Sequence, residues 1–442
     1  MNSLFPLRLA LQQEIKDRNL TFSDLAKRAG LNRSVFSLIF RKKEPKPIAF
    51  QYLTKITLAL GYPEDHYFEL YIDECFYGGK PNRSRIEPFL IRCAEQNKQS
   101  YIRKVLFHLS SEHRERSLAF IFEIAERLVQ SYDDKRSTPF FQWIIDHETD
   151  LTSERLAVAH FRMFRMHKGT DEESNSKLIE KVFSVKDQLP DELKLTALLA
   201  IINAKHIYED TKDILPMCEE FIHLCIRLFG TSDRPRLFKF NAAYPLIHPP
   251  IYYYGQSHLL KEAHLTDKGD FEEAALCQQK YKDLSWLAGS SEIGIFYVRR
   301  FNLYYRFNEI SLRLLQGQEE ALTEYVPLLI DHPPEILPGI ITMLDAACSF
   351  QFNLDDVLDI FKAPLHNYMS LNDNAYNMNF SRNRYVLFLQ KLSVYQYNRG
   401  RYEESLQAAM QSWELSQELN NHSHLRMFAS LAVMYNTPVE ET

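Results

Sequence analysis

Apolar residues recur at helical spacing along almost the whole chain. Leu7, Ala10, Leu11 and Ile15 form an i, i+3, i+4, i+8 stripe and predict a first helix. Ser23 is read as the cap of a second helix carrying Leu25, Ala26 and Ala29, which stops at Gly30. Asn32 then caps a third helix bearing Val35, Phe36 and Ile39, and Pro45 and Pro47 end that segment. A fourth helix is expected from Ile48 to Leu60, closing at Gly61, and a fifth from Pro63.

From about Ile86 onward the helical period continues, broken by polar turns such as Lys168-Gly169-Thr170, Lys268-Gly269-Asp270, Gln316-Gly317-Gln318 and Arg399-Gly400-Arg401. Their separations suit helix-pair repeats. Two turns match in detail, Lys-Gly-Asp-Phe-Glu-Glu-Ala at 268–274 and Arg-Gly-Arg-Tyr-Glu-Glu-Ser at 399–405. Each predicts a buried aromatic after the glycine and small residues (Ala275, Ala408, Ala409) where helices approach. This is tetratricopeptide grammar. Pro245, Pro249 and Pro250 interrupt it at 240–255, which reads either as a loop between two halves of the array or as an aromatic groove wall or hinge. His332-Pro333-Pro334 reads as an inter-helix connection. The expected fold class is all-α: a five-helix head, residues 1–70, a linker, 71–85, and a right-handed TPR-like α-solenoid, 86–442.

Composition agrees with helices. Glycine supplies 13 of 442 residues and apolar residues 45%, which disfavours β-rich and disordered chains alike. The six cysteines form no C-x-x-C pair, so a zinc knuckle or a thiol redox motif is not expected; reduced, buried thiols in a cytoplasmic protein are. The early Glu14, Lys16, Asp17 and Arg18 do not resemble a signal peptide, and no run of about eighteen apolar residues predicts a membrane span. Charge is unevenly spread. Residues 1–61 carry eleven Lys and Arg against four acids, a net +7, and the remaining chain carries −13. A basic head on an acidic body suits a module that meets phosphates joined to one that does not.

Within the head, Ala26 is small where the third helix crosses the second, Gly30 makes the tight turn, and Leu31, Val35, Phe36 and Leu53 fill the space between helices. The third helix then offers Arg33, Ser34 and Ser37 on its other face, with Ser23 nearby at the start of the second. Such a helix fits a major groove, its first residues towards base edges, and Arg33 can bond guanine bidentately. Arg41, Lys42, Lys43 and Lys46 are placed to neutralise phosphates. Residues 6–61 resemble the Cro/phage-repressor-type helix-turn-helix called XRE. The resemblance rests on Ala26, Gly30, Leu31, Asn32 and Ser34. The chain departs from the pattern at Leu38, where a polar residue is usual, and at Phe40-Arg41-Lys42, where Glu-x-Gly often stands.

An XRE head on about 350 residues of degenerate tetratricopeptide-like helices resembles the RRNPP family of peptide-pheromone receptors, among them Rgg, PlcR, NprR, PrgX and AimR. The resemblance spans the whole chain in architecture, but only the head and the last repeat in motif. It implies a homodimer, a palindromic operator in double-stranded DNA, and quorum-sensing control by a short signalling peptide bound in a concave groove. Asparagine amides suit such a peptide's backbone because they both donate and accept. Candidates are Asn203, Asn302, Asn379 and Asn383. Arg299 and Arg300 are candidates for a peptide carboxylate, and Phe301, Tyr304 and Tyr305 for apolar pockets. The alternative is a protein-interaction scaffold whose repeats bind a partner protein. No P-loop, zincin, nucleophile-elbow or Rossmann motif is written in the chain, so neither catalysis nor a cofactor is expected. His160, His167, His206 and His223 read as packing residues, and His422 and His424 as a solvated pair.

Overall fold

The computed structural model describes residues 6–41, 44–109, 114–131, 134–167, 172–207, 213–368 and 375–419, with the backbone alone at 114, 134, 172–173, 207 and 375–380. Among these residues the chain is all-helical apart from one minimal hairpin, Gly230–Thr231 (β1) against Arg234–Pro235 (β2). It divides into two compact units, Met1–Met166 and His167–Thr442. The first takes in the expected head, the expected linker and the opening helices of the expected repeat region.

The first unit contains α1 (Pro6–Asp17), α2 (Phe22–Ala29), α3 (Arg33–Ile39), α4 (Phe50–Ala59), α5 (Phe68–Cys75), α6 (Arg83–Glu95), α7 (Gln99–Leu109), α8 (Arg114–Ser131), α9 (Thr138–His147) and α10 (Glu154–His167). One hydrophobic core runs from Leu7 to Met166. The predicted stripe of α1 is its inner face, with Leu7, Leu11 and Ile15 buried. α4 starts at Phe50 rather than Ile48, because Pro47 and the buried Ile48 precede its first turn. The stretch after Pro63 begins as a 3₁₀ turn, Glu64–Tyr67, before α5.

The second unit contains α11 (Glu172–Val185), α12 (Asp191–Ile207), α13 (Ile214–Phe229), α14 (Pro250–Asp267), α15 (Phe271–Tyr281), α16 (Ser285–Ala288), α17 (Glu292–Leu315), α18 (Leu322–Asp331), α19 (Ile336–Phe350), α20 (Asp355–Asn367), α21 (Ala375–Asn398) and α22 (Tyr402–Leu419). Helices α11 to α15 pack each on the next, as do α16 to α20 and the pair α21 and α22, and α15 with α17, α17 with α19 and α19 with α21 pack across one intervening helix. Gly255 of α14 permits one close approach, since a Cβ there would lie 2.3 Å from the Phe301 ring of α17.

Three expectations are corrected here. The stretch 240–255 is loop only as far as Pro249: Pro249 and Pro250 start α14, and Ile251, Tyr253 and Tyr254 are buried on it. Tyr402, expected to be buried after its glycine turn, is 50% exposed, and Phe271 is only partly covered. Of the small residues expected where helices approach, Ala408 and Ala409 are buried and Ala275 is half-buried, while the neighbouring Ala274 is buried. Pro333 and Pro334 do sit in a short connection between α18 and α19. The cysteines are free thiols, five buried and Cys348 half-buried. No described helix is long and apolar enough to cross a membrane.

Candidate nucleic-acid interface

The geometry of α2 and α3 follows from local rules. Thr21, not Ser23, caps α2, because its hydroxyl accepts the Asp24 amide at 3.2 Å while the Asp24 carboxylate accepts the Thr21 amide at 2.9 Å. Those Thr21 bonds, ahead of the charges of Arg28 and Lys27, hold the Asp24 carboxyl below its ordinary range. Ser23 is exposed on the first turn. At the other end Gly30 adopts φ 61°, ψ 37°, the left-handed conformation that reverses the chain, and the Leu31 amide donates to Ala26 O at 2.9 Å. The chain leaves that turn already aimed for α3. Asn32 caps α3 through its side-chain oxygen, which accepts both the amide and the hydroxyl of Ser34 at 3.0 Å.

α3 is two-faced. Phe36 and Ile39 are buried, in one core with Leu25, Ala26 and Leu53. Phe22 stacks on Phe36 and Phe40 at 6.1 and 5.2 Å. The outward face presents Arg33, Ser34 and Ser37, all exposed, followed by exposed Arg41 and Lys46. Leu38 shares this face at 41% exposure. Lys42 and Lys43 lie outside the described residues. Lys27 and Arg28, at the end of α2, are exposed basic residues absent from the expected set.

What holds the segment after α3 was not foreseen. Arg8 of α1 and Glu74 of α5 form a buried ion pair at 2.5 Å, 3% and 0% exposed. The same guanidinium donates to Ile39 O at 3.2 Å and Lys46 O at 3.1 Å, and the same carboxylate accepts the Ile48 amide at 2.9 Å. Tyr71 and Tyr77 hydroxyls donate to Ile48 O and Pro45 O at 3.1 and 2.7 Å. The Lys46 amide bonds Leu38 O at 3.0 Å. Burial pushes the Glu74 carboxyl above the usual range, opposed by the Ile48 amide and Arg8. One buried pair thus fixes the backbone at both ends of the basic segment, a second layer of bonds that positions the side chains facing outward. No local sequence signal joins residues 66 positions apart.

The expected peptide-binding residues do not gather in one place. On α17, 100° per residue sets Arg300 and Tyr304 on one side and Asn302 on another. Arg300 Nε donates to the Tyr304 hydroxyl at 2.7 Å, and its guanidinium lies 5.3 Å from that ring. Tyr304 is pushed up by burial and interacts electrostatically with Arg300, Glu335 and Arg384. Arg384 of α21 is pushed down by burial, against the charges of Tyr368, Glu335 and Tyr304. Asn302 instead donates to Lys282 O at 3.3 Å, and Lys282 lies over the Tyr305 ring at 4.5 Å. The Asn203 amide donates to Leu199 O of its own helix at 2.9 Å. Phe301 is buried core and Arg299 exposed. Asn383 is half-buried on α21, and the side chain of Asn379 lies outside the described residues. Neither Glu335 nor Arg384 was anticipated, since only the packing of α17 with α19, which follows Glu335, and of α19 with α21 brings them into the field of Tyr304.

The described residues hold no group of three His, Cys, Asp or Glu able to bind a metal ion. Comparison of the chain with protein-family models, with curated proteins and with solved structures finds no match.

Proposed function

We propose that the chain is a regulator that binds duplex DNA through α3 and answers to a short peptide held by its second unit, in the manner of the RRNPP receptors it resembles. In this reading residues 1–70 are an XRE-type helix-turn-helix head, 71–85 a linker, and 86–442 a TPR-like solenoid that binds peptide and acts in the cytoplasm. The observation that carries it is the partition of α3. Phe36 and Ile39 are buried while Arg33, Ser34 and Ser37 stand in solvent beside Arg41 and Lys46. A polar helix edge backed by basic residues is what base-edge contact and phosphate neutralisation need. The stacked helix pairs of the second unit, with the Arg300–Tyr304 cluster among them, support the peptide half.

Selection of bound duplexes from a random library by the full chain tests the DNA half. Arg33→Ala relaxes the preference at one base pair and weakens the selected site by about 1–3 kcal/mol. Lys46→Ala weakens all sequences alike and lowers the salt slope by about one. If the library yields no enriched duplex, the DNA reading is lost. The scaffold reading draws on a separate observation: Tyr402, Leu406 and Met410 lie exposed at four-residue spacing on α22, a stripe suited to a partner protein. Stoichiometric capture of one protein, abolished by Leu406→Asp and indifferent to added peptide, favours it.

A further inference from the structure

The second unit has one stretch that departs from its stacked helices. Between β2 and α14 the chain is irregular from Arg236 to Pro249, yet its course is held. The hairpin pairs Gly230 with Pro235 and Thr231 with Arg234, and the Arg236 amide donates to Phe229 O at 2.8 Å. Further on, the Asn241 amide donates to the buried Glu192 carboxylate at 2.7 Å, and Tyr244 is buried. Phe238 is half-buried, its ring centroid 5.8 Å from Phe229 and 5.0 Å from Phe240. On this held backbone Leu237 stands wholly in solvent and Phe240 is about half exposed. Arg234, Arg236 and Lys239 alternate with them and are exposed too. Among the described residues none of these three cations joins an ion pair, and Arg236 bonds only Arg227 O, at 2.9 Å. Asp233 precedes the run, but no acid follows from 234 to 261, in a body that carries −13 over residues 62–442. Single apolar residues on a surface are ordinary. Apolar tips interleaved with unpaired cations form a local reversal of charge and polarity that calls for a partner.

The chemistry selects that partner. Stacking on nucleic-acid bases needs open aromatic faces, but Leu237 has none and Phe238 is already engaged by two other rings. A partner protein's helix or strand packs along a regular element, and these side chains share neither a helix face nor a strand. A bilayer surface asks for no register. Anionic headgroups take the cations, the interface takes the apolar tips, and the loop backbone stays at headgroup depth where water satisfies it. We infer that residues 234–240 are a peripheral docking loop for an anionic lipid surface, with Leu237 and Phe240 inserted and Arg234, Arg236 and Lys239 among the headgroups. The contact needs no spanning helix. It goes beyond the DNA and peptide readings and rests on neither.

Flotation of the full chain with lipid vesicles tests it. The parent floats with vesicles of phosphatidylcholine and phosphatidylglycerol mixed three to one, and stays in solution with phosphatidylcholine alone. Arg234→Gln and Lys239→Gln each weaken the partition about fivefold, and added salt weakens it further. Leu237→Ser/Phe240→Ser weakens it about tenfold or more. All these variants keep the parent's helical circular dichroism, because the altered side chains are exposed. In Leu237→Trp the added indole emission, taken as the difference from the parent, shifts to the blue on the mixed vesicles alone. Arg41→Gln/Lys46→Gln, in the basic head, floats like the parent. A parent chain that ignores the mixed vesicles overturns the proposal, as does a Leu237→Ser/Phe240→Ser variant that floats undiminished. Partition lost with the head variant instead would assign the lipid contact to the head and overturn it equally. A loop variant that loses duplex affinity while keeping the vesicles would make the loop a nucleic-acid contact and not a lipid one. The duplexes selected through α3 stand or fall separately from every vesicle result.

Discussion

The head and the second unit both place arginines near the surface, but they hold them in different ways. In the head, Arg33 and Arg41 are exposed while a separate arginine, Arg8, is sunk into the core to grip the backbone around them. In the second unit Arg300 is held by a neighbouring tyrosine and shares its field with Glu335 and Arg384. The first arrangement leaves its outward charges available to a polyanion. The second is a mutual polar cluster, which a ligand must enter by replacing existing interactions. A surface built for a strong, repeated charge such as phosphate needs rigid backbone beneath free side chains, whereas a selective polar cleft needs side chains that constrain one another.

The largest expected effect tests the buried grip. Glu74→Ala leaves the Arg8 guanidinium buried without its counter-charge and strips the Ile48 amide of its acceptor. Removing one partner of such a pair costs about 3–5 kcal/mol, read as a lower urea midpoint of the full chain and faster amide exchange at Ile48. Arg8→Met/Glu74→Leu recovers much of that stability without restoring the bonds to Ile39 O and Lys46 O. If duplex affinity survives in the double variant, the grip serves stability alone and the contrast between the units narrows. An unchanged midpoint in Glu74→Ala would refute the account of this pair.

Acid probes the second unit next. Burial drives His258 down to about 3 and His206 to about 4, from an ordinary 6.5, and each has a ring nitrogen without a hydrogen-bond partner among the described residues. For a base with a depressed native pKa, the unfolded chain takes the proton first. The stability is therefore complete above pH 6.5 and is lost as pH falls from there towards 4 for His206 and 3 for His258. Each histidine removes about 2 kcal/mol by pH 5. Glu262, raised by burial among Tyr281, Gln278 and Asn308, acts in the opposite direction, because the folded state then takes the proton first. His258→Leu isolates the histidine contribution by flattening the loss between pH 6.5 and 5. A slope identical to that of the parent chain would show that this ring titrates normally.

How much of this was legible in the chain itself depends on the range of the interaction. The stripe of α1, the glycine turn at Gly30, the Asn32 cap and the burial of Ala26 are set by neighbours within a few residues, and the folded chain has all of them. Even the misplaced cap at Ser23 was a shift of two residues, because Thr21 and Asp24 also satisfy the capping pattern. The Arg8–Glu74 pair and the approach of Arg384 to Tyr304 depend on which helices pack together. Periodicity reports that a face is buried and says nothing of what it meets. The same limit explains Arg299–Asn302: adjacency in sequence suggested one patch, and the helical turn distributed it over different sides.

Gly30→Ala measures the local rule alone. A Cβ at this residue meets no neighbour within 4 Å, so any cost comes from forcing a side chain into φ 61°, about 1–2 kcal/mol. The variant keeps the head folded and reduces its melting temperature modestly. Loss comparable to that of Glu74→Ala would mean the turn carries tertiary strain beyond its own dihedral.

The smallest effect separates the two kinds of polar surface most directly. Asn302 reaches Lys282 O at 3.3 Å in an exposed setting, a long neutral bond in competition with water, so Asn302→Ala should cost only about 0.5 kcal/mol of stability. Arg300→Met, in contrast, removes the donor to the Tyr304 hydroxyl and changes the field at Glu335 and Arg384. If the second unit receives a peptide at the Arg300 cluster, a library of short peptides screened by thermal shift contains ligands that stabilise Asn302→Ala like the parent chain and fail on Arg300→Met. Equal loss in both variants would place the ligand along α17 on the Asn302 side as well, and the original grouping of residues 299–302 would regain its meaning. Equal retention would remove α17 from the peptide site, leaving its arginines to the internal organisation of the helices that surround them.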